Sequence, residues 1–438
     1  MKYMLKILII FIIVLIIYIL SNHSIILNYS SLESISKKNN LELFRAEIDN
    51  NLCNFQNAIK NTINEKNNIN STFLLNNKYY GAPCMYMKDD TFYTVIKELG
   101  FVPTNNILEA GLIVPCSYEA TEKEVIELQN NNIISNKFGK NVKVFMLNNT
   151  DLMVSKWHLW EFLEKRYGEA FAKKLVAKSW NLMTDASYNE FVSIYDKNKL
   201  YITKNNNQRQ EGLVIIDDIN KINREKYVLI QELLQNPYLI NGRKINLRIY
   251  CVVMRTEKDV KVYVYNDGFM YYTPEPFIKG SNDFKTNITT GYIDRKVYET
   301  NPLTHKDFKK YLDSNRPNNI TNIEMQIRNK NIKLSTYIFN KINELVKIVL
   351  DTFVDKLGNI NLGHSFQLYG IDVAIDANLD AMMMEINKGP DLSTKDEKDG
   401  AVKKQLIRDM LKITGLIKYS ANDKPDFTLV HTVPVILL

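Results

Sequence analysis

The sequence is poor in the residues that build disulfide frameworks, zinc sites and nucleic-acid interfaces. Its 438 residues include five scattered histidines and four cysteines, none with CxxC spacing: Cys53, Cys84, Cys116 and Cys251. A disulfide-rich fold and a zinc site are therefore not expected. The net charge of +7 is modest and comes without a basic block. Nucleic acid is thus not an expected partner, and a nucleotide or an acidic peptide suits the charge better.

Internal repeats and compositional signs of global disorder are lacking as well. Hydrophobic residues make up 45% of the chain and charged residues 24%. A chain of this length and composition can bury a large core, and we expect two or three structural units.

One long hydrophobic run stands near the N-terminus. Ile7–Leu20 comprises 14 apolar residues behind Lys2 and Lys6. This length fits a signal-peptide core or a short membrane anchor. Because Ser21–Leu27 has no small-residue cleavage pattern, we expect residues 4–20 to form an uncleaved, single-pass anchor that places the protein in a membrane. The side on which the catalytic domain lies stays open.

The most informative stretch is FQLYGIDVAIDANLDAMMMEINKGPDL, residues 366–392. Phe366–Ile375 alternates apolar residues with small or polar ones, turn-forming residues follow, and Ala381–Ile386 is apolar again. This pattern predicts a β-hairpin with its loop at Ala377–Asp380.

That loop fixes which side chains face each other. Asp372 is expected opposite Glu385, and Gly370 opposite Asn387, with Asp372, Glu385 and Asn387 on one face. Two opposed carboxylates repel each other unless a cation lies between them, and hard oxygen ligands suit Mg²⁺. The alternative is an edge hairpin with its charges in solvent.

Cationic side chains recur at the ends of other predicted elements. Lys244, Asn246 and Arg248 share one face of a predicted strand, Lys244–Met254, where a buried anion is a better partner than bulk water. A solvent-facing strand is the alternative. Arg248 is the arginine of that face, and its planar guanidinium can hold two phosphate oxygens.

Two further lysines fit an anion site. Lys156 stands in the first turn of a predicted long helix, Ser155–Trp180, where the helix dipole disfavours a cation that has no anionic partner. Lys204 ends a short strand, Leu200–Lys204. A polar loop and a second strand, Leu213–Asp217, follow it, as in a flap over nucleotide phosphates.

Together these segments resemble the tubulin-tyrosine ligase and tubulin-tyrosine ligase-like family, a branch of the ATP-grasp ligases. Gln231–Leu234 followed by KINLR, residues 244–248, is similar to the family's Q-x-x-[IL] and K-[FI]-D-[LI]-R segments. The hairpin is similar to the strand-turn-strand that ends in E-[VI]-N-x-x-P. Lys204 matches the lysine of W-I-x-K, and Lys156 that of K-x-x-L. The resemblance covers roughly residues 80–415.

The resemblance implies a fold, two cofactors and a reaction. The fold is α+β, an ATP-grasp fold. ATP would be contacted by Lys156, Lys204, Gln231, Lys244, Asn246 and Asn387, and Mg²⁺ by Asp372, Glu385 and Asn387. Lys244 and Arg248 would act catalytically. A carboxylate would be activated as an acyl phosphate and joined to an amino acid, with a protein or peptide as acceptor. We expect a monomer.

The implied fold divides the chain. The expected units are a membrane anchor (1–21), a stalk (22–75), a small N-terminal α/β domain (76–150), a central ATP-grasp subdomain (151–235), a C-terminal ATP-grasp subdomain (236–416) and a tail (417–438).

Several positions depart from the family pattern. Asn246 replaces an aspartate, Gln210 stands where the flap usually has glycine, and Asn266 replaces an arginine of acceptor or amino-acid recognition. The segment Asn287–Thr290 loosely replaces an L-T-N motif. These changes argue against tubulin as the acceptor. They leave open a membrane-attached pseudo-ligase, and an ATP-grasp ligase with a small-molecule or cell-surface substrate.

Overall fold

The computed structural model describes residues 76–81, 91–114, 142–205, 212–314, 320–357 and 364–435. Its strands are β1 Lys78–Gly81, β2 Val102–Pro103, β3 Leu112–Val114, β4 Lys143–Val144, β5 Ser179–Asn181, β6 Tyr201–Lys204, β7 Leu213–Ile216, β8 Leu229–Glu232, β9 Leu239–Ile240, β10 Arg243–Thr256, β11 Asp259–Tyr272, β12 His364–Ile375, β13 Ala381–Asn387 and β14 Phe427–Pro434. Its α-helices are α1 Thr91–Glu98, α2 Asp151–Val154, α3 His158–Tyr167, α4 Glu169–Leu175, α5 Asp185–Ile194, α6 Phe284–Asn287, α7 Val297–Thr300, α8 His305–Asp313, α9 Asn322–Asn329, α10 Leu334–Asp351 and α11 Glu397–Ile413.

A large mixed sheet organises the described residues. Its strand order is β14-β11-β10-β12-β4-β3-β1-β2, with β13 added beside β12 and β9 beside β10. The N-terminal strands β1–β4 pair with one another in parallel and join β12 through β4. The long strands β10, β11 and β12 are antiparallel neighbours at its centre. A mixed α+β architecture is therefore present, as the sequence predicted.

The two faces of β10 are covered differently along its length. Its odd-numbered residues, such as Leu247 and Ile249, pack in one core with α10 and α8. Even-numbered residues of its second half, such as Val252, pack in another core with α1 and α11. In the first half the same even face carries Lys244, Asn246 and Arg248. The even face of β10 therefore carries polar site residues in its first half and core residues in its second half.

A second, four-stranded sheet has the order β5-β8-β6-β7. Trp180, Phe191 and Tyr201 form a core between this sheet and α5. Because side chains alternate along a strand, Lys204 lies on the face of β6 opposite that of Tyr201 and Thr203. Gln231 of β8 shares the face of Lys204, since it pairs with Ile202. The face of this sheet opposite that core thus carries two of the predicted ATP-binding residues.

The predicted hairpin exists as β12 and β13, and its register at the functional end is as expected. Asp372 faces Glu385 and Gly370 faces Asn387. The loop, residues 376–380, is one residue longer than predicted. A bulge at Met384 absorbs this extra residue, since Val373 pairs with Met383.

The predicted long helix at Ser155–Trp180 is instead two helices and a strand. Gly168, with φ of +77°, separates α3 from α4, and β5 begins at Ser179. A positive φ favours glycine and ends the helix there. Ser155 caps the C-terminus of α2 rather than the N-terminus of a helix. Lys156 therefore lies in the short link between α2 and α3.

The predicted tail and the predicted membrane anchor have different outcomes. The segment 417–438 contributes β14, which pairs with β11 at the edge of the large sheet. Residues 1–21 and the stalk lie outside the described residues. The membrane localisation is corrected here: within the described part of the chain, no helix is long and apolar enough to cross a bilayer.

The turn of the hairpin is held by backbone and side-chain contacts of one neighbouring segment. The N–H of Tyr238 donates to the carbonyl of Ile375 at 2.8 Å. The Tyr238 hydroxyl donates to Oε1 of Glu324 at 2.8 Å, and Glu324 is fully buried in α9. Tyr238 therefore ties the hairpin to α9.

We predict that Tyr238→Phe lowers the free energy of unfolding by about 1–3 kcal/mol, because a buried carboxylate loses a donor. Urea denaturation of the two proteins measures this difference. Tyr292→Phe is the matched control. Tyr292 is 70% exposed, so loss of its hydroxyl should leave the free energy of unfolding unchanged. Equal effects of the two substitutions would contradict the prediction.

Candidate nucleotide and metal site

The functional end of the hairpin brings two carboxylates and an amide together. Asp372 of β12 and Glu385 of β13 are register partners. The amide of Asn387 donates to Oε1 of Glu385 at 3.2 Å and lies 3.5 Å from the carbonyl of Gly370. Asp372 is 8% exposed. The three oxygen-bearing side chains named from the sequence therefore meet at one place.

The two carboxylates have different electrostatic surroundings. Burial raises the pKa of Asp372 to about 6; the charge of Arg248 opposes this shift and that of Glu385 adds to it. Burial also works against ionisation of Glu385, but the charge of Lys204 and the hydrogen bond from Asn387 outweigh it and lower its pKa. Glu385 is thus the more readily ionised carboxylate of the pair.

Arg248 pairs with Asp372 through two parallel hydrogen bonds. Nε donates to Oδ1 at 2.6 Å and Nη2 to Oδ2 at 3.0 Å. The guanidinium lies over the ring of Tyr271, 5.2 Å from its centroid. Gly370 leaves room for it, because a Cβ there would lie 3.2 Å from both Cδ and Nη1 of Arg248. The arginine predicted to hold phosphate is therefore placed directly beside the paired carboxylates.

Lys204 and Gln231 form a buried pair on the small sheet. Nζ of Lys204 donates to Oε1 of Gln231 at 2.8 Å, and the Gln231 amide donates to the hydroxyl of Ser179 at 2.9 Å. Burial lowers the pKa of Lys204 to about 8, and the charge of Glu385 opposes the shift. This lysine therefore lies within the electrostatic reach of the hairpin carboxylates.

Lys244 and Lys156 are also withdrawn from solvent. Nζ of Lys244 donates to the carbonyl of Leu234 at 3.3 Å, and burial with the charge of Lys204 lowers its pKa to about 8. Nζ of Lys156 donates to the carbonyl of Asn205, directly after β6, at 3.1 Å. Burial lowers the pKa of Lys156 as well, against the charge of Glu385.

Asn246 lies between Lys244 and Arg248 on the same face of β10. Its Oδ1 is buried and accepts no hydrogen bond from the residues that the structure describes. A buried acceptor of this kind has a free energy cost unless a donor reaches it. Asn246 is thus suited to accept a hydrogen bond from a ligand hydroxyl or amine.

The residue set fits both a magnesium ion and an anionic nucleotide. Asp372, Glu385 and the amide oxygen of Asn387 are hard oxygen ligands, and Mg²⁺ completes its shell with phosphate and water. Three cations act on these two carboxylates, Lys156, Lys204 and Arg248, and a fourth, Lys244, lies near Lys204. Several buried lysines near one another are stabilised when a polyanion enters.

Comparison with known proteins identifies the family to which this arrangement belongs. The model of the tubulin-tyrosine ligase family matches residues 128–423. The chain belongs to the tubulin-tyrosine ligase family. The resemblance inferred from the sequence is thereby confirmed, and the predicted enzyme class, an ATP-dependent carbon–nitrogen ligase, is that of this family.

Curated relatives within the family share low sequence identity with the chain. A probable tubulin polyglutamylase of Rattus norvegicus is 28% identical over 46% of this chain and 41% of its own length. A tubulin polyglutamylase of Mus musculus is 22% identical over 74% of this chain and 36% of its own length. A probable beta-tubulin polyglutamylase of Tetrahymena thermophila is 22% identical over 55% of this chain and 21% of its own length. The chain thus spans less than half of each relative's length.

The positions that depart from the family pattern differ in where they lie relative to the site. Asn246 is in the site. Asn266 is held at the far edge of the sheet, where its amide donates to Asp426 at 3.0 Å and its Oδ1 accepts from Thr428 at 2.7 Å. Gln210 lies outside the described residues. Asn287 is buried and accepts a hydrogen bond from Gln235, next to the Leu234 carbonyl that Lys244 contacts.

Sequence reasoning missed two residues of the site. Tyr271 stacks on Arg248, and Ser179 positions Gln231. Tyr271 follows from the pairing of β10 with β11, in which it is the register partner of Asn246. Ser179 could not be found, since it lies in the last turn of the predicted helix Ser155–Trp180.

We predict that nucleotide affinity weakens as pH rises through about 8. A nucleotide polyanion favours protonated Lys204 and Lys244 and so raises their pKa values on binding, which means that binding takes up protons above that pH. The affinity should fall roughly tenfold per lysine between about pH 7 and pH 9. Calorimetric titration with Mg²⁺ and a non-hydrolysable ATP analogue measures both affinity and proton uptake.

Lys204→Met is the control for this prediction. It removes one of the two titrating lysines, so the remaining pH dependence should be about half as steep on a logarithmic scale. An affinity that is constant over this range, or that increases with pH, would contradict the assignment of these lysines to the nucleotide.

Proposed function

We propose that the chain is an ATP-dependent amino-acid ligase that activates a carboxylate as an acyl phosphate and joins it to an amine. The observation that carries this proposal is the pairing of Asp372 with Glu385 inside a hairpin surrounded by buried cations. Such a pair is unfavourable unless cations compensate it. Together with family membership, it supports nucleotide phosphoryl chemistry at this end of the sheet.

Distinct residues serve the nucleotide and the metal in this proposal. Lys156, Lys204, Gln231, Lys244 and Asn246 would contact ATP, and Asn387 would contact both ATP and the ion. Asp372, Glu385 and Asn387 would hold Mg²⁺. Bound there, Mg²⁺ supplies neutralisation of phosphate charge and alignment of the phosphate oxygens.

The proposed reaction has two balanced steps. A carboxylate oxygen of the acceptor attacks the γ-phosphorus of ATP, the bond to the β,γ-bridging oxygen breaks, and ADP leaves. The amine of the amino acid then attacks the acyl carbon, the C–O bond to phosphate breaks, and the amine loses a proton as the amide forms. Lys244 and Arg248 would stabilise negative charge on the transferring phosphoryl group.

A protein carboxylate is the proposed acceptor. The relatives' names include tubulin polyglutamylases and a probable beta-tubulin polyglutamylase. Tubulin with glutamate is therefore the first substrate pair to test. Asn266 does not argue against it as strongly as the sequence suggested, because its side chain is engaged by Asp426 and Thr428 rather than by the site.

A second candidate is a nucleotide-binding protein without ligase activity. Asn246 favours it, because the aspartate of the family pattern is replaced by a neutral residue at the centre of the site. Measurement of ADP formation separates the two functions. A ligase releases ADP in proportion to amide product, and a binding protein holds ATP without turnover.

We predict that Glu385→Gln lowers ATP turnover by roughly two or more orders of magnitude, the scale of losing a principal charge-stabilising group. The substitution keeps the shape of the side chain, so the protein should remain folded. ATPase rate and thermal midpoint are measured on one preparation, with and without Mg²⁺. Glu344→Gln is the matched control, because Glu344 is an exposed residue of α10 paired with Lys347. Normal turnover in Glu385→Gln would contradict the catalytic role of the hairpin.

We also predict that the acceptor alone, without the amine, promotes isotope scrambling in ATP. Reversible formation of an acyl phosphate lets the β-phosphate of ADP rotate before ATP re-forms, so label moves from the β,γ-bridge to a non-bridging position. Nuclear magnetic resonance of ¹⁸O-labelled ATP detects this exchange. Release of AMP and pyrophosphate in place of ADP would contradict the mechanism.

A further inference from the structure

Arg248 occupies the carboxylate oxygens that a metal ion would need. It contacts Oδ1 of Asp372 at 2.6 Å and Oδ2 at 3.0 Å, and both side chains are nearly buried. A fork of two parallel hydrogen bonds uses both oxygens of the carboxylate. Mg²⁺ binds a carboxylate oxygen at about 2.0–2.1 Å in near-ideal octahedral geometry. The guanidinium and the ion therefore need the same oxygens.

The surroundings of Arg248 give the guanidinium a favourable contact that does not depend on Asp372. The ring of Tyr271 lies 5.2 Å from the guanidinium carbon. An aromatic face attracts a cation that has lost part of its solvation. On another side, Gly370 presents no side chain to Cδ and Nη1. Arg248 thus keeps its contact with Tyr271 in the site when its hydrogen bonds to Asp372 break.

We propose that Arg248 and the metal ion compete for Asp372, so that metal binding releases the guanidinium to bind the carboxylate substrate. This inference rests on the proposed function. It assigns Arg248 a second role besides charge stabilisation, as the residue that makes the substrate site depend on the metal.

The released guanidinium of Arg248 is suited to bind a carboxylate. A buried guanidinium without its carboxylate partner is costly, and a second carboxylate restores the same forked geometry. Metal and carboxylate substrate therefore favour each other's binding, and this coupling is reciprocal. An enzyme of this design would bind the metal and nucleotide before it binds the acceptor carboxylate.

The test measures Mn²⁺ affinity of the full chain by electron paramagnetic resonance, in the absence of nucleotide. Arg248→Lys keeps the charge but cannot hold two oxygens in a planar fork, whereas Arg248→Gln removes the charge. Competition predicts that both variants bind Mn²⁺ roughly tenfold more tightly than the wild type, because a forked, charge-assisted contact no longer has to be broken.

Arg166→Lys is the matched control. Arg166 also pairs with an aspartate, Asp351, at a position outside the proposed metal site. Its replacement should leave Mn²⁺ affinity unchanged. If Arg248→Gln alone binds more tightly, while Arg248→Lys equals the wild type, the effect is one of charge and the competition is overturned. A weaker affinity in Arg248→Lys overturns it as well.

A second measurement follows the guanidinium itself. Phenylglyoxal modifies accessible arginines, and peptide mapping reports the modification of Arg248 in the wild type. Competition predicts that saturating Mn²⁺ increases this modification, whereas unchanged or reduced modification overturns the inference. Failure of the proposed function gives a different result: the wild type would form no ADP with any acceptor, whatever its Mn²⁺ affinity. If neither the wild type nor the variants bind Mn²⁺, the competition is overturned.

Discussion

The site depends on two carboxylates that the register of one hairpin forces to face each other. Asp372 and Glu385 would repel each other in isolation, and burial increases the cost of ionising both. The surrounding sequence compensates this with cations from three separate segments: Lys204 from the small sheet, Arg248 from β10 and Lys156 from the link before α3. The sheets and helices of this region can be understood as the means of bringing those charges together.

The way β10 is covered explains how such a site coexists with a large core. Tyr250 and Val252 lie on the same face as Arg248 and are fully buried against α1 and α11. The odd face, which packs on α10, is apolar from Ile245 to Val253. The strand is therefore held in place by hydrophobic burial on one side and half of the other, and its remaining half-face can carry charged residues without loss of the fold.

Local patterns predicted the hairpin well and its partners poorly. Alternation and turn chemistry placed Asp372 opposite Glu385. The predicted loop was one residue too short, but the register at Asp372 is as predicted because a bulge at Met384 absorbs the extra residue. The contact between Arg248 and Asp372 joins strands 124 residues apart, and no local periodicity encodes it. Gly168 ends a helix whose apolar pattern continues beyond it. Ser155 is the C-cap of α2, so Lys156 lies in a link and not, as predicted, in the first turn of a helix. The prediction of a membrane anchor used hydropathy alone, and hydropathy carries no information about packing against other elements.

Asn246, which replaces the aspartate of the family pattern, changes the charge balance of the site. An aspartate at this position would place a third carboxylate beside Lys244 and Arg248, and would offset one of the four cations of the site. Asn246 keeps an oxygen acceptor there but leaves the positive excess larger. A larger positive excess lowers lysine pKa values and strengthens the attraction of a polyanion. In the proposed function, the nucleotide would then supply more of the neutralising charge, and the phosphate chain would complete the compensation of the lysines.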